Sequence, residues 1–164
     1  GGADVILIPE IPFKIEVVCK KIRDRNQKGA GFSIVVVAEG ASPIGGKMSV
    51  LKKSKNGYVL RLGGMGDKVG KAIADRTKVD VRVTVLGHIQ RGGSPIPFDR
   101  NLATRFGTAA CDLIAQGAFG RMVCLTGRTI QSVSLKEATR GLKLVSPEGD
   151  EVKCAEALGI SLGR

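Results

Sequence analysis

Short apolar runs alternate with longer amphipathic stretches along most of this chain. Val5–Ile8 is apolar throughout and stops at Pro9, which predicts a short buried strand. Over Lys14–Arg25 the residues Ile15, Val18, Cys19 and Ile22 recur at i, i+3, i+4 and i+7, the period of an amphipathic helix. Gln27–Gly31 reads as a turn and Phe32–Ala38 as a second buried strand. Strand, helix and strand in that order predict a βαβ unit, whose parallel strands need helices laid on the sheet.

Gly40–Asn56 is rich in Gly, Ser and Lys and has no period, so it reads as a long surface loop. Gly63-Gly64-Met65-Gly66 then opens a helix carrying Val69, Ala72 and Ile73 as far as Arg76. The spacing of Gly64, Gly66 and Gly70 misses the dinucleotide-binding fingerprint by one residue, and a turn that starts a helix accounts for it better. Val81, Val83 and Val85 alternate with Arg82, Thr84 and Leu86, which predicts another strand.

Beyond a Ser94-Pro95 stop, Pro97–Gln116 places Phe98, Leu102, Phe106, Ala109 and Leu113 on one helical stripe, closed by Gly117. Met122–Leu125 reads as a strand, and Ser134-x-x-Glu137 as a capping box that opens a short helix ending at Gly141. Glu148–Leu158 is a last, weaker helix and Gly159–Arg164 a frayed tail. The fold class is α/β: an open, mostly parallel sheet with flanking helices.

Composition narrows this picture only a little. A chain of 164 residues can bury one sizeable core, and 43% hydrophobic with 25% charged residues is ordinary globular usage. No apolar run approaches the roughly 18 residues of a membrane span. Cys19, Cys111, Cys124 and Cys154 form no CxxC pair, which argues against zinc and for a reducing, cytoplasmic setting. The net charge of +11 suits anionic ligands or nucleic acid. Its only dense cluster is Lys47, Lys52, Lys53 and Lys55, best read as a solvated loop, and with one Tyr and no Trp the chain has little to stack bases on.

The most informative stretch is Val85–Arg100. It sets His88, Arg91, Gly92, Gly93 and Ser94-Pro95 just after the strand that carries Arg82. Open α/β sheets bind ligands at such strand ends. A guanidinium fork fits phosphate oxygens, an imidazole adds a tunable donor, and paired glycines let backbone approach a ligand. The chemistry suggests capture of a phosphorylated small molecule. A structural histidine, a flexible Arg-Gly-Gly turn and a nucleic-acid contact are the other readings that residue types alone leave open.

Three separated motifs in this chain resemble the phosphofructokinase family. They are Thr84–Arg100, which matches the family's LGHxQRGG joined to SPxxFDR; Gly1–Phe13, where Ala3-Asp4-Val5 leads into Ile8-Pro9-Glu10-Ile11-Pro12-Phe13; and Val36-Val37-Ala38-Glu39-Gly40. The resemblance implies a phosphotransferase of glycolysis that phosphorylates fructose 6-phosphate at its 1-hydroxyl, with ATP or pyrophosphate as donor and Mg²⁺ as cofactor. It implies that Glu10 accepts from sugar hydroxyls and that His88 and Arg91 grip the sugar phosphate and its neighbouring hydroxyls. Arg82 would reach the 6-phosphate of a neighbouring subunit in a homo-oligomer, a dimer or tetramer. Membrane and nucleic-acid partners are not expected, and a basic nucleic-acid-binding module is the competing class.

The family's catalytic Thr-Ile-Asp segment, its glycine-rich donor loop and its Mg²⁺-holding acid have no counterpart in this sequence. Neither catalytic nor metal-ligating residues are therefore assigned here, Glu39 and Asp99 are given structural roles, and the isolated chain is expected to be inactive. The reading is a C-terminal fragment of an incomplete two-domain fold. Residues 1–93 would belong to the sugar-phosphate domain, 94–126 to the donor domain, and 127–164 would return to the first. The stripe from Phe98 to Phe106 is then expected to be exposed, with poor solubility.

Overall fold

A computed structural model describes residues 2–46, 50–52 and 61–164. The elements run β1 (Val5–Leu7), α1 (Ile15–Gln27), β2 (Val35–Val37), β3 (Val50–Lys52), β4 (Arg61–Leu62) and α2 (Met65–Thr77), then α3 (Pro97–Ala115), β5 (Arg121–Thr126), β6 (Thr129–Ser134), α4 (Leu135–Ala138) and α5 (Asp150–Ala157). They pack as two compact units, Gly1–Val85 with Leu144–Arg164, and Leu86–Lys143.

In the first unit β1 and β2 pair in parallel, Val5 opposite Val35 and Leu7 opposite Val37, with α1 as the crossover. The βαβ unit is present. Alternation along β1 divides the core between the two faces of the sheet. Val5 and Leu7 pack with Val18, Cys19 and Ile22 of α1 and Met65, Val69 and Ile73 of α2. Ile6 and Ile8 pack instead with Ile11, Leu162, and Val152 and Ala155 of α5. Burial pushes the Cys19 thiol above its ordinary range, partly offset by Arg23 and Arg76.

Two expectations fail in this unit. Residues 159–164 are not frayed: Ser161 bridges Val5 in parallel, its carbonyl accepting from the Ile6 N–H at 2.9 Å, and Leu162 is buried. Backbone partners on β1 and an apolar slot beside Ile11 supply what a local reading cannot see. The expected strand over residues 81–86 forms no ladder among the described residues: Val79 and Val81 pack on the core and Val83 lies near α2 at Gly70, but Val85 is exposed and Leu86 is already helical in backbone. Alternation encodes only a preference for one side; a strand also needs a neighbour to bond with.

Within Gly40–Asn56, β3 forms a short antiparallel pair with β4, so the stretch is not loop throughout. Lys47, Lys53 and Lys55 lie outside the described residues, and of Lys52 only the backbone is described. Gly64 precedes α2 with φ 75°, a left-handed backbone that suits glycine, in keeping with a turn that starts a helix.

In the second unit α3 packs on the hairpin of β5 and β6, six residues each, joined by Gly127-Arg128. β6 has no counterpart in the periodicity reading. The capping box at α4 forms as expected: the Ser134 hydroxyl accepts from the Glu137 N–H at 3.1 Å and donates to Glu137 Oε2 at 2.7 Å. The hydroxyl donation, with the Ser134 N–H donating to the same oxygen at 3.3 Å, holds the Glu137 carboxyl below its ordinary range. At the start of α3, Asp99 accepts from the Ile96 N–H at 3.0 Å, a structural role. No residue of α3 is buried, but the expected exposed stripe holds only at Phe98, 63% exposed; Leu102 and Phe106 are half-buried, where α3 packs on the hairpin.

Candidate functional site

Glu10 stands just beyond the carboxyl end of β1, where the ends of parallel strands present ligands. The chain there is held by a second set of backbone bonds. The Phe13 N–H donates to the Ser42 carbonyl at 3.1 Å, and the Ile44 N–H to the Phe13 carbonyl at 2.9 Å. The Ala38 N–H donates to Leu7 at 2.9 Å, which sets Ala38-Glu39-Gly40 beside the end of β1. Glu39 itself is exposed.

The Glu10 carboxylate is unevenly used. Its Oε1 accepts from the Val145 N–H at 3.1 Å. Its Oε2 is buried and has no hydrogen-bond partner among the described residues. A buried carboxylate oxygen without a donor is costly, so the arrangement calls for a hydroxyl, an N–H or a water at that point. The Val145 contact, 135 residues away in sequence, has no signature in the primary structure.

Arg82 belongs to the same unit but sits in a segment outside any ladder among the described residues, not at the end of a strand. Its side chain is 90% exposed and meets Asp80 at 3.7 Å, an ion pair so solvated that it holds the guanidinium only loosely. The guanidinium is free to be recruited by another anion.

His88 and Arg91 lie in the second unit, on a 3₁₀ turn over Gly87–Arg91 and not at the mouth of a strand as expected. The turn is closed by the Gly92 N–H donating to Ile89 at 2.9 Å, and flanked by Gly87 at φ 50° and Gly93 at φ 103°. Residues three apart on a 3₁₀ helix eclipse one another, so His88 and Arg91 present their donors on one side. Both are exposed. An imidazole and a guanidinium on one face, beside a backbone free of Cβ atoms at Gly92 and Gly93, make an anion-gripping surface.

The profile of the family described as Phosphofructokinase matches residues 1–114. This chain belongs to the phosphofructokinase family. It is 52% identical over 163 residues to the ATP-dependent 6-phosphofructokinase of Chloroflexus aurantiacus, covering 99% of this chain and 44% of that protein. It is 49% identical over 148 residues to the pyrophosphate–fructose 6-phosphate 1-phosphotransferase of Streptomyces coelicolor, covering 90% of this chain and 43% of that one. Among solved structures, the phosphofructokinase of Saccharomyces cerevisiae superposes with a TM-score of 0.62 at 26% identity, over 85% of this chain and 17% of that chain. This phosphofructokinase chain therefore spans less than half the length of the curated relatives it matches.

Mg²⁺, which the family implies, finds no cluster of three or more His, Cys, Asp or Glu side chains among the described residues. The residues in hand do not fit the ion, and no step is routed through it. No helix of the described residues is long and apolar enough to cross a membrane.

Proposed function

We propose that this chain supplies the sugar-phosphate side of a 6-phosphofructokinase that transfers a phosphoryl group from ATP to the 1-hydroxyl of fructose 6-phosphate. The observation that carries this is the buried, unpartnered Oε2 of Glu10 at the carboxyl end of β1. A sugar hydroxyl is a donor of the right size and polarity for it. His88 and Arg91 would take the sugar phosphate and nearby hydroxyls, and Arg82, held only by an exposed Asp80, would meet the 6-phosphate of a neighbouring protomer in a homo-oligomer. In this reading residues 1–93 serve the sugar phosphate, 94–126 the donor, and 127–164 return to the first domain, in a cytoplasmic enzyme. The phosphoryl chemistry rests on groups that this chain does not contribute. Phosphoryl transfer depends on positioning, metal and charge stabilisation, so binding of the acceptor is this chain's share.

A second reading, pyrophosphate as donor, is favoured by the 49% identity to a pyrophosphate-dependent relative over 90% of this chain. A chimaera tests the acceptor site, and the donor is read from the protein that contains this chain. A chimaera is made in which this chain replaces the matching part of an ATP-dependent relative and, separately, of a pyrophosphate-dependent one. Turnover of fructose 6-phosphate in either chimaera supports the acceptor-site reading, and the donor preference of the protein containing this chain decides between donors. Two well-folded chimaeras that bind the donor but neither bind nor turn over fructose 6-phosphate overturn it.

A further inference from the structure

We propose that the backbone N–H of Val145 positions the Glu10 carboxylate for its ligand, so that the segment returning to the first unit is part of the sugar site's construction. The inference rests on the reading of Glu10 as a sugar-hydroxyl acceptor and adds the group that aims it. Glu10 follows β1 in a turn, with three side-chain torsions and, among the described residues, the Val145 N–H as the one hydrogen-bond donor to its carboxylate. A freely rotating carboxylate would give up conformational entropy each time it met a ligand. The Val145 N–H takes Oε1 at 3.1 Å, which leaves Oε2, buried and unpartnered among the described residues, as the oxygen with both acceptor sites open. The bond thus does two things: it fixes the plane of the carboxylate and it decides which oxygen faces the ligand.

The positioning bond comes from a tethered segment. Val145 precedes α5 by five residues, and α5 packs through Val152 and Ala155 on Ile11, next to Glu10. The Lys21 ammonium donates to the Gly159 carbonyl at 2.6 Å, Ser161 is bonded to β1, and the Arg164 guanidinium meets Glu156 at 2.8 Å and Glu148 at 3.5 Å. The amide itself lies in the exposed stretch before α5, tied to the helix start by the Gly149 N–H donating to the Ser146 carbonyl at 2.9 Å. Being backbone, it is indifferent to the side chain at position 145, and Val145 itself is part-exposed.

The test is a proline at position 145, which deletes the N–H while keeping an apolar side chain of similar bulk. In the intact enzyme, Val145→Pro is expected to raise the KM for fructose 6-phosphate by about tenfold and to change kcat by less than about twofold, since the contact is uniform between ground and transition states. Leu142→Pro puts the same ring in the same irregular stretch at a highly exposed residue and is expected to leave KM unchanged. The discriminating measurement is a cycle with Glu10→Gln. If Val145 acts through Glu10, Val145→Pro adds little to KM in the Glu10→Gln background; if it acts by loosening the fold, its effect persists there. Glu10→Gln without effect on fructose 6-phosphate binding removes the reading of the site itself. Glu10→Gln impaired beside a normal or fully additive Val145→Pro overturns the positioning role alone.

Discussion

Leu162 offers the sharpest test of how the carboxyl-terminal residues are held. Its side chain is 4% exposed and packs with Ile11 and Val152, ringed by Ile6, Ile8 and Ala155. Leu162→Ala removes about three buried carbons at about 0.8 kcal/mol each, or about 2.4 kcal/mol of transfer free energy. A cavity contribution adds to this, because the backbone on both sides is bonded: Ser161 to Asp4 and Ile6, and the Gly163 carbonyl to the Lys14 N–H at 2.7 Å. The segment cannot slide inward to fill the space, which puts the total at about 2.5–4 kcal/mol. Urea unfolding followed by far-ultraviolet circular dichroism is the assay, with the slope unchanged and the midpoint lowered by about 1–2 M for an ordinary slope of about 2 kcal/mol/M. Leu158→Ala, at a side chain 75% exposed, is the control and is expected to stay within about 0.5 kcal/mol of the parent. A Leu162→Ala loss no larger than that of Leu158→Ala would mean that residues 159–164 are frayed in solution after all.

Four further outcomes are expected. Gly70 lies where α2 meets Val81 and Val83, and an added Cβ would fall 2.7 Å from Val83 Cγ2; Gly70→Ala is therefore expected to lower the melting temperature despite the better helix propensity of alanine, whereas Gly66→Ala, with 3.5 Å of room, is tolerated. Burial raises the Cys19 thiol, so its neutral form is favoured in the fold: its contribution to stability is complete below the unfolded value near 9.0 and is lost as pH rises through the higher folded value. Iodoacetamide at pH 8.5 is accordingly expected to label the exposed Cys111 and Cys154 in the native protein and Cys19 only after unfolding; labelling of native Cys19 at a comparable rate would contradict its burial. In the intact enzyme, His88→Ala is expected to raise the KM for fructose 6-phosphate by roughly 10- to 150-fold with a smaller change in kcat, and mixed oligomers of Arg82→Ala with Glu10→Gln are expected to regain the unsubstituted enzyme's affinity in some sites, while a mixture showing only the affinities of the two mutants would mean that Arg82 acts within its own chain or not on substrate.

The local periods in this sequence determined the elements whose stabilising partners are close in the chain. The i, i+3, i+4, i+7 series from Ile15 to Ile22 buried Val18, Cys19 and Ile22 as one face, and Ser134-x-x-Glu137 closed its capping box within a single turn. The motifs around Glu10 and His88 carried the family membership, because each depends on residue identity over a few positions. What the tertiary structure alone decided has distant partners. Val81, Val83 and Val85 alternate as a strand does, yet no neighbouring strand pairs with their segment among the described residues, so the alternation did not become a ladder. The tail looked free because Gly159–Arg164 carries no period, but β1 supplied hydrogen bonds and Ile11 an apolar wall. The Glu10 carboxylate was legible as a candidate acceptor, while the amide that holds one of its oxygens comes from Val145, 135 residues on. Hydrogen-bond partnership and burial are properties of neighbours in space, and a linear pattern specifies them only where those neighbours are also neighbours in sequence.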